Sequence, residues 1–279
     1  MIDVIIPVYN TPIKDLKRCF NSILKQSYTD YKVYIIDDGS KEEVKRFIDL
    51  YAKDKSNFYV RHIVNAGVSA ARNIGINLSK SKYITFVDSD DTIEKNFFKQ
   101  AIKYIEKYDL DVIIGGYKII NNKKIDIKKC MPGIHIYEDK RLIYFFKKLL
   151  NSRTSKNNIE ISDCPIGRIY TRVFKRKSID DLRFNENIKI SEDTLFMIDY
   201  MYKVKKIGIV DKVWYNYFEN DYSITGSANK KVLISNVKTF VKHINYNLFN
   251  EQNKIIKEAY KTRIKNAKKY MDKLKNTSS

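Results

Sequence analysis

The segment YITFVDSDD, residues 83–91, decides the fold of this chain. Its first part, Tyr83–Asp88 (YITFVD), is apolar and rich in β-branched and aromatic residues, which is typical of a buried strand. The strand ends at Asp88, and the turn that follows it carries two more acids, Asp90 and Asp91. In an open α/β sheet, ligands bind beyond the carboxyl ends of the strands. The segment therefore predicts a buried strand that delivers carboxylates to a ligand site.

Strands and helices alternate on both sides of this segment. The predicted strands are Asp3–Tyr9, Tyr31–Asp37, Asn57–Val64, Tyr83–Asp88 and Val112–Ile120. The predicted helices between them are Asp15–Lys25, a helix from a Ser40/Glu43 capping box to about Ala52, Gly67–Leu78 and Glu94–Lys107. Repeated β-α units of this length indicate an α/β fold with a mostly parallel sheet and helices on both faces.

The pattern changes after Asn121. We expect a hairpin at Asn121–Asp126, helices at Asp139–Leu150 and Ser191–Tyr202, a polar loop at Ser152–Ile161, strands at Ile207–Val210 and Val213–Phe218, and basic helix from Asn229 onward. The chain therefore divides into residues 1–120, 121–228 and 229–279, the last being a helical C-terminal appendage.

The positive charge of the chain is concentrated in this appendage. The 279 residues carry 53 lysines and arginines against 33 acids, a formal net charge of +20. Residues 230–279 carry 13 basic residues and 3 acids, a net charge of +10. Such a block predicts an anionic partner, for which a membrane surface, nucleic acid and a phosphorylated acceptor are candidates; a solvated helix face is the alternative.

An apolar stripe runs along the same appendage. Val237, Val241, Ile244 and Leu248 recur at helical spacing. We expect this stripe and the lysines to make a peripheral contact with an anionic membrane. The alternative is that the stripe packs on the catalytic domain or on a second subunit of a homo-oligomer.

The cysteines indicate neither a disulfide framework nor a zinc site. Cys19, Cys130 and Cys164 are far apart and lack C-x-x-C spacing. Free thiols fit the reducing cytoplasm. Met1 runs into a strand-like segment without a basic leader, and no segment reaches the roughly 20 apolar residues that span a bilayer. We therefore expect a cytoplasmic protein, peripheral at the inner face of the membrane.

The acids after residue 87 are suited to a hard divalent cation. Asp88 and Asp90, with Ser89 between them, place two carboxylates on one turn, and Mg²⁺ and Mn²⁺ prefer such oxygen ligands. The cation would neutralise charge on a diphosphate leaving group. The alternative is an acidic turn in which Asp91 or Thr92 caps the next helix.

Two further segments carry charged residues, and each can be interpreted as structural or as functional. Arg72 lies in NAGVSAARN, residues 65–73, where small residues allow either close approach to a ligand or close helix packing with Arg72 snorkelling to solvent. Glu192 and Asp193 follow Ser191, a predicted N-cap. They are either first-turn acids that the helix dipole favours or, in the case of Asp193, a general base for an acceptor hydroxyl.

A resemblance decides between these interpretations. The segments that carry it, in order, are IIPVYN (5–10), SILKQSYTDYKVYIIDDGS (22–40), NAGVSAARNIGI (65–76), YITFVDSDD (83–91) and SEDTLF (191–196). Together they closely resemble family 2 of the glycosyltransferases, which has the GT-A fold. The resemblance is strong over residues 1–120 and moderate over 163–225. It implies an inverting transferase that moves a sugar from a nucleoside-diphosphate donor to a hydroxyl of a glycan or lipid-linked acceptor in bacterial glycan synthesis.

The resemblance also implies roles for individual residues. Pro7 and Tyr9 resemble positions that pack on the nucleotide base. Asp38 resembles the carboxylate that reads the uracil edge, and Arg72 its basic neighbour.

The remaining roles concern the donor sugar and the chemistry. Asp88 matches the residue that holds the ribose and, with Ser89, belongs to the nucleotide-sugar site. Asp90 matches the ligand of Mn²⁺ or Mg²⁺, with Asp88 beside it. Asp193 matches the catalytic base. Many relatives carry arginine where this chain has Phe218, so a cation that assists the diphosphate is missing there; Arg168 and a tail lysine are candidates to replace it.

The sequence argues against three other functions. A nucleotidyltransferase can share a similar sheet but usually needs a Gly-rich, basic loop after the first strand, where this chain has Val-Tyr-Asn-Thr-Pro. A nucleic-acid-binding protein would explain the charge, yet no recognition motif is present, so no nucleic-acid partner is expected. A dehydrogenase is excluded because G-x-G-x-x-G is missing after the first strand.

Overall fold

The computed structural model describes residues 1–121, 124–151, 165–220 and 230–276. The strands are β1 (Ile2–Val8), β2 (Tyr31–Asp37), β3 (Phe58–His62), β4 (Tyr83–Phe86), β5 (Thr92–Ile93), β6 (Val112–Ile120), β7 (Ile125–Lys128), β8 (Ile134–Glu138), β9 (Arg172–Lys175) and β10 (Lys206–Phe218). The helices are α1 (Ile13–Leu24), α2 (Glu42–Ala52), α3 (Val68–Leu78), α4 (Phe97–Tyr108), α5 (Asp139–Asn151), α6 (Arg176–Ile179), α7 (Glu192–Tyr200), α8 (Lys230–Asn250) and α9 (Lys254–Asn276). The predicted polar loop at Ser152–Ile161 and Cys164 lie outside the described residues.

The first half of the chain forms the predicted parallel sheet. Strands lie in the order β3-β2-β1-β4, and Val4 of β1 pairs with Val33 of β2 and Thr85 of β4. Every residue of β1 is buried because helices cover the sheet. Parallel strands put their carboxyl ends at one edge, so the polar residues after β1, β2, β3 and β4 meet there.

The second half of the sheet is mixed. β9 lies between β4 and β6 and is antiparallel to both, while β6 and β10 are parallel. β5, β7 and β8 add antiparallel pairs, and β6 with β7 forms the hairpin expected after Asn121. The mostly parallel arrangement therefore describes the first four strands, and β9 is the point where the direction reverses.

β10 is one bulged strand where two short strands were predicted. Its register against β6 shifts between Ile209 and Val213, where the polar pair at positions 211 and 212 leaves the ladder. The bulge presses Trp214 against β6. A Cβ at Gly115 would lie 2.4 Å from the Trp214 ring and 2.8 Å from the Lys212 carbonyl, so only glycine fits.

The capping box predicted at Ser40 and Glu43 does not form. Helix α2 begins at Glu42 after Lys41, and no side-chain cap forms. The hydroxyl of Ser40 instead accepts the Asn10 amide at 2.9 Å, because the chain after β2 turns back towards the end of β1.

The alternative interpretation of the acidic turn, in which Asp91 or Thr92 caps the next helix, is wrong. Thr92 belongs to β5, which pairs with β10, and α4 begins only after Asn96. The Asp91 carboxylate accepts the Phe218 amide at 2.8 Å. The strand pairing thus removes both residues from the helix start.

The C-terminal helices pack on the rest of the chain. Phe240 and Ile244 of α8 and Ile256 and Tyr260 of α9 are buried in the same core as α5 and α7. Val241 and Leu248 pack against this core as well, so the apolar stripe of α8 faces inward. Among the described residues, no helix has the length and hydropathy needed to cross a bilayer.

Candidate active site

The loop between β3 and α3 is organised by Asp38. Its carboxylate accepts the amides of Ala66 at 2.7 Å and Gly67 at 2.9 Å. Burial raises the pKa of Asp38 above its ordinary value, while these two backbone donors oppose the rise. A Cβ at Gly39 (φ +76°) would lie 2.8 Å from the Asn65 amide nitrogen, so the two loops touch through glycine backbone. Asp38 thus lies at the expected sheet edge with its carboxylate fixed.

Pro7 and Tyr9 differ in exposure. Pro7 is buried inside β1, in register with Ile36 of β2. Tyr9 lies just beyond the strand with 52% of its surface exposed. An exposed ring at the edge of a parallel sheet offers a planar surface for stacking, and Tyr9 offers more of it than Pro7 does.

Arg72 is the hub of the site. Its Nη1 lies 2.7 Å from Asp193 and 2.9 Å from Glu192, and its Nη2 lies 3.0 Å from Asp88. Only 3% of Arg72 is exposed, so the interpretation that it snorkels to solvent is wrong. Burial lowers its pKa, but the three carboxylates outweigh burial and the net shift is upward. One guanidinium therefore joins the turn after β4 to the start of α7.

The start of α7 carries the other half of this network. Ser191 has left-handed backbone (φ 71°) and makes no side-chain cap, so α7 is not capped in the predicted way. Asp193 accepts the Ile169 amide at 3.1 Å in addition to its contact with Arg72. Burial and the neighbouring Asp193 charge raise the pKa of Glu192 to about 7, against the opposing effect of Arg72.

The acidic turn after β4 is held by several different elements. The Asp88 amide donates to the Tyr215 hydroxyl at 3.0 Å, and the Ser89 and Thr11 hydroxyls share a buried hydrogen bond of 2.7 Å. Asp90 accepts from the Asn220 side chain at 3.1 Å. Burial raises the pKa of both Asp88 and Asp90; the charge of Asp88 raises that of Asp90 further.

These carboxylates fit a hard divalent cation that shares its coordination with a ligand. Asp88 and Asp90 offer the oxygen donors that Mg²⁺ and Mn²⁺ prefer. The part of the chain that the structure describes holds no cluster of three His, Cys, Asp or Glu side chains suited to a metal. An ion held by Asp88 and Asp90 would therefore complete its coordination with water and phosphate oxygens.

Sequence reasoning missed the cation beside Phe218. The guanidinium carbon of Arg18 lies 3.6 Å from the centroid of the Phe218 ring, and Nη2 of Arg18 bonds to the Asp90 carbonyl. Burial lowers the pKa of Arg168, the residue considered for this place, but the neighbouring Tyr170 and Asp193 outweigh burial and the net shift is upward. Arg168 in turn lowers the pKa of Asp88, so it acts on the same carboxylates without lying beside Phe218 as Arg18 does. In the sequence, Arg18 shows only a helical i,i+3 pair with Asp15 and gives no sign of this contact.

The family model for glycosyl transferase family 2 matches residues 3–178 of this chain. The chain belongs to glycosyl transferase family 2. The match includes Asp38, Arg72 and the turn from Asp88 to Asp91. It ends before Asp193, which the structure brings to the same place through Arg72.

Two curated relatives have names that describe glycosyltransferases. The uncharacterized glycosyltransferase EpsJ of Bacillus subtilis (strain 168) is 25% identical over 228 residues, which cover 81% of this family 2 chain and 63% of EpsJ. The poly(ribitol-phosphate) beta-N-acetylglucosaminyltransferase TarS of Staphylococcus aureus (strain Mu50 / ATCC 700699) is 27% identical over 220 residues, which cover 76% of this chain and 34% of TarS. The chain thus spans less than two thirds of either relative.

A solved structure shows the fold. Residues 1–349 of S. aureus TarS in complex with UDP-GlcNAc superpose with a TM-score of 0.72 at 20% identity, covering 94% of this family 2 chain and 72% of that one. This likeness confirms the GT-A fold class expected from the sequence, including the helices at the C-terminal end.

Proposed function

We propose that this protein is an inverting, metal-dependent glycosyltransferase that moves a sugar from a UDP-sugar to a hydroxyl of a glycan or lipid-linked acceptor in bacterial surface-glycan synthesis. The observation that carries the proposal is the Arg72 hub, which holds Asp88 and Asp193 within one network. Family membership supports the reaction class. The solved complexes of TarS with UDP and with UDP-GlcNAc support a uridine donor.

The donor end of the proposed site uses residues at the sheet edge. Tyr9 stacks on the base with Pro7 beneath it, Asp38 and its loop read the base edge, and Asp88 with Ser89 holds the ribose. Asp90, with Asp88 beside it, would hold Mn²⁺ or Mg²⁺, which supplies positive charge against the charge of a departing diphosphate. Arg72 balances the carboxylates that this arrangement brings together.

The acceptor end uses Asp193 as a general base. Its carboxylate takes the proton of the acceptor hydroxyl while that oxygen attacks the anomeric carbon. The new carbon–oxygen bond forms as the bond to the diphosphate breaks, and the nucleoside diphosphate leaves with the electron pair. Attack opposite the leaving group inverts the anomeric centre, and no side chain becomes attached to the sugar. Positioning and fixed charges supply most of the acceleration.

Successive parts of the chain supply the donor site, the acceptor site and the C-terminal helices. Residues 1–120 supply the donor-binding groups and residues 121–228 supply the acceptor side, including Asp193. Helices α8 and α9 make up the described part of the appendage assigned to residues 229–279, and α8 contacts the helix bearing Asp193 through the His243–Asp199 pair at 2.8 Å. The appendage therefore braces the acceptor side.

We place the membrane contact of the appendage on a surface other than the predicted stripe. The corner patch, made of Tyr246, Phe249 and Ile255, flanks the turn between α8 and α9, with 70%, 85% and 50% of these residues exposed. The outer face of α9 presents exposed lysines, which are Lys254, Lys261, Lys265, Lys268 and Lys269. Lysines attract anionic lipid by about 1 kcal/mol each near the surface, and aromatic and aliphatic side chains insert at the interface.

Nucleotide binding tests the donor part of this proposal. Isothermal calorimetry with UDP and Mn²⁺ is expected to show binding that Asp38→Ala removes. Leu50→Ala, an exposed change on α2 outside the site, serves as the control and should bind like the wild type. Failure of the wild-type protein to bind UDP, with binding of another nucleoside diphosphate instead, would overturn the uridine assignment.

A further inference from the structure

Arg18 lies between the acidic turn and the end of β10. Its Nη2 donates to the backbone carbonyl of Asp90 at 2.5 Å, and its Nη1 lies 2.8 Å from the Asp15 carboxylate. The Phe218 ring covers the flat face of the guanidinium, with 3.6 Å between the guanidinium carbon and the ring centroid. Only 29% of the Arg18 side chain is exposed. Three different contacts thus hold one guanidinium in one orientation.

The hydrogen bond from Arg18 to the Asp90 carbonyl restricts the direction of the Asp90 carboxylate. A hydrogen bond to a backbone carbonyl fixes the orientation of that peptide plane, and the side chain leaves the backbone next to it. The following residue is also fixed, because the Asp91 carboxylate accepts the Phe218 amide at 2.8 Å. Arg18 and Phe218 therefore tie two successive residues of the turn to each other and to the end of β10.

Arg18 also supplies a positive charge at the end of the turn where Asp90 lies. Asp88 has Arg72 at 3.0 Å, whereas the Asp90 end of the turn meets Arg18. Asp15 and Asp91 add two more carboxylates near that end. A guanidinium stacked on an aromatic face keeps its charge and its donor geometry while losing part of its contact with water.

We propose that Arg18 is a positioning residue for Asp90, that it holds the Asp90 carboxylate ready for a divalent cation, and that Phe218 is its platform. This inference rests on the proposed function, in which Asp90 holds that cation. Arg18 acts through the Asp90 backbone, so its loss should weaken cation binding while leaving the cation's ligands in place. Residues that orient metal ligands typically change metal affinity by about 10- to 100-fold when removed.

The experiment measures Mn²⁺ binding directly, by electron paramagnetic resonance of free Mn²⁺ during titration of the full-length protein with UDP present. Arg18→Ala is expected to weaken Mn²⁺ binding by about 10-fold or more. Arg46→Ala, which removes an exposed arginine paired with Glu42, is the matched control and should bind like the wild type. Circular dichroism of each variant shows that it is folded.

A relocation variant separates positioning from a general loss of stability. The double variant Arg18→Ala/Phe218→Arg places a guanidinium in the same space, but carries it on position 218 instead of position 18. A substantial part of the Mn²⁺ affinity lost in Arg18→Ala should therefore return. Arg18→Lys keeps the positive charge but lacks the planar guanidinium, and it replaces Arg18→Ala in the experiment if that variant does not fold. Its Mn²⁺ affinity should fall several-fold, because a lysine cannot contact the Asp90 carbonyl and the Asp15 carboxylate while stacking on Phe218.

The outcomes separate the inference from the proposed function. Wild-type affinity in folded Arg18→Ala or in Arg18→Lys, or no gain in the relocation variant, overturns the role of Arg18 while the metal site stands. Absence of Mn²⁺ binding by the wild-type protein overturns the metal site and the role of Arg18 together.

Discussion

The guanidinium of Arg72 lies 2.7 Å from the carboxylate of Asp193, although the two residues are 121 positions apart in the chain. Arg72 belongs to the helix after β3, and Asp193 belongs to the first turn of α7. Because the same guanidinium also contacts Asp88, the edge of the parallel sheet and the acceptor-side helix are held in fixed relation. The proposed donor and base groups therefore form one site.

Replacing the proposed base should affect transfer far more than donor binding. Asp193→Asn keeps the size of the side chain and its reach to Arg72, but it removes the proton acceptor. We expect transfer to fall by about 10²-fold or more, the low end for loss of a general base. UDP affinity, measured by calorimetry on the same preparation, should change little. A parallel collapse of UDP affinity would assign Asp193 to donor binding or to structure instead.

Removing the proposed metal ligand should abolish metal dependence together with activity. Asp90 lies on the turn after β4, where it is half-buried and close enough to Asp88 for that charge to raise its pKa. Asp90→Ala removes an oxygen ligand that no other carboxylate of the turn replaces, because Asp91 is engaged with the Phe218 amide. The assay compares activity with Mn²⁺ and with excess chelator. Full turnover by the variant, or by the wild-type protein in chelator, contradicts the metal assignment.

The raised pKa of Glu192 predicts a pH-dependent stability difference. Its pKa is about 7 in the folded protein against an ordinary value of 4.5, so the folded state binds this proton more tightly than the unfolded chain. The stabilisation is complete below about pH 4.5 and is lost as pH rises through about 7. Glu192→Gln stays neutral, so its stability relative to the wild type should increase between about pH 5 and about pH 8.

Thermal unfolding at several pH values measures this difference. Glu43→Gln, the same change at an exposed position on α2, is the matched control. A constant difference between Glu192→Gln and the wild type across the same range would show that Glu192 ionises in the folded protein as it does in the unfolded chain.

Much of the first half of the fold could be predicted from the sequence because β1, β2 and β4 are almost wholly buried apolar segments and the helices have one apolar face. The second half was harder. β9 pairs antiparallel to both neighbours, and its Arg172 is fully buried, a residue type that gives no strand signal. β10 reads as two strands because its bulge is polar.

The aspartates of the site could be predicted from the sequence more fully than its arginines. Asp38, Asp88 and Asp90 follow strand ends, so their meeting at one edge follows from the topology of a parallel sheet. The role of Arg72 came only from the family resemblance, since its three partners lie far along the chain. The role of Arg18 could not be predicted, because the sequence shows only its helical i,i+3 pair with Asp15. Its stack on Phe218 joins residues 200 positions apart and is seen only in the folded chain.

The corner patch and the basic face of α9 should bind anionic vesicles. Phe249→Ser/Ile255→Ser and, separately, Lys265→Gln/Lys268→Gln/Lys269→Gln are expected to weaken sedimentation with phosphatidylglycerol vesicles, and high salt should weaken it as well. Leu50→Ser and the α4 set Lys99→Gln/Lys103→Gln/Lys107→Gln are the matched controls, since both alter exposed residues elsewhere.

Three other outcomes would reject the membrane surface. Equal binding to phosphatidylcholine vesicles, or no binding to either kind, contradicts the electrostatic account. A mass measured by light scattering that corresponds to a dimer in the wild type and to a monomer in Phe249→Ser/Ile255→Ser would assign the corner patch to a second copy of the chain.

Donor hydrolysis tests the central claim most directly because it needs no acceptor. The wild-type protein is incubated with Mn²⁺ and each of a panel of UDP-sugars and GDP-sugars, and released nucleoside diphosphate is measured with and without chelator. The account predicts release of UDP from at least one UDP-sugar, dependent on Mn²⁺ and absent in Asp90→Ala. No release from any nucleotide sugar, together with no binding of UDP by calorimetry, would contradict the assignment of this chain as a nucleotide-sugar-dependent transferase.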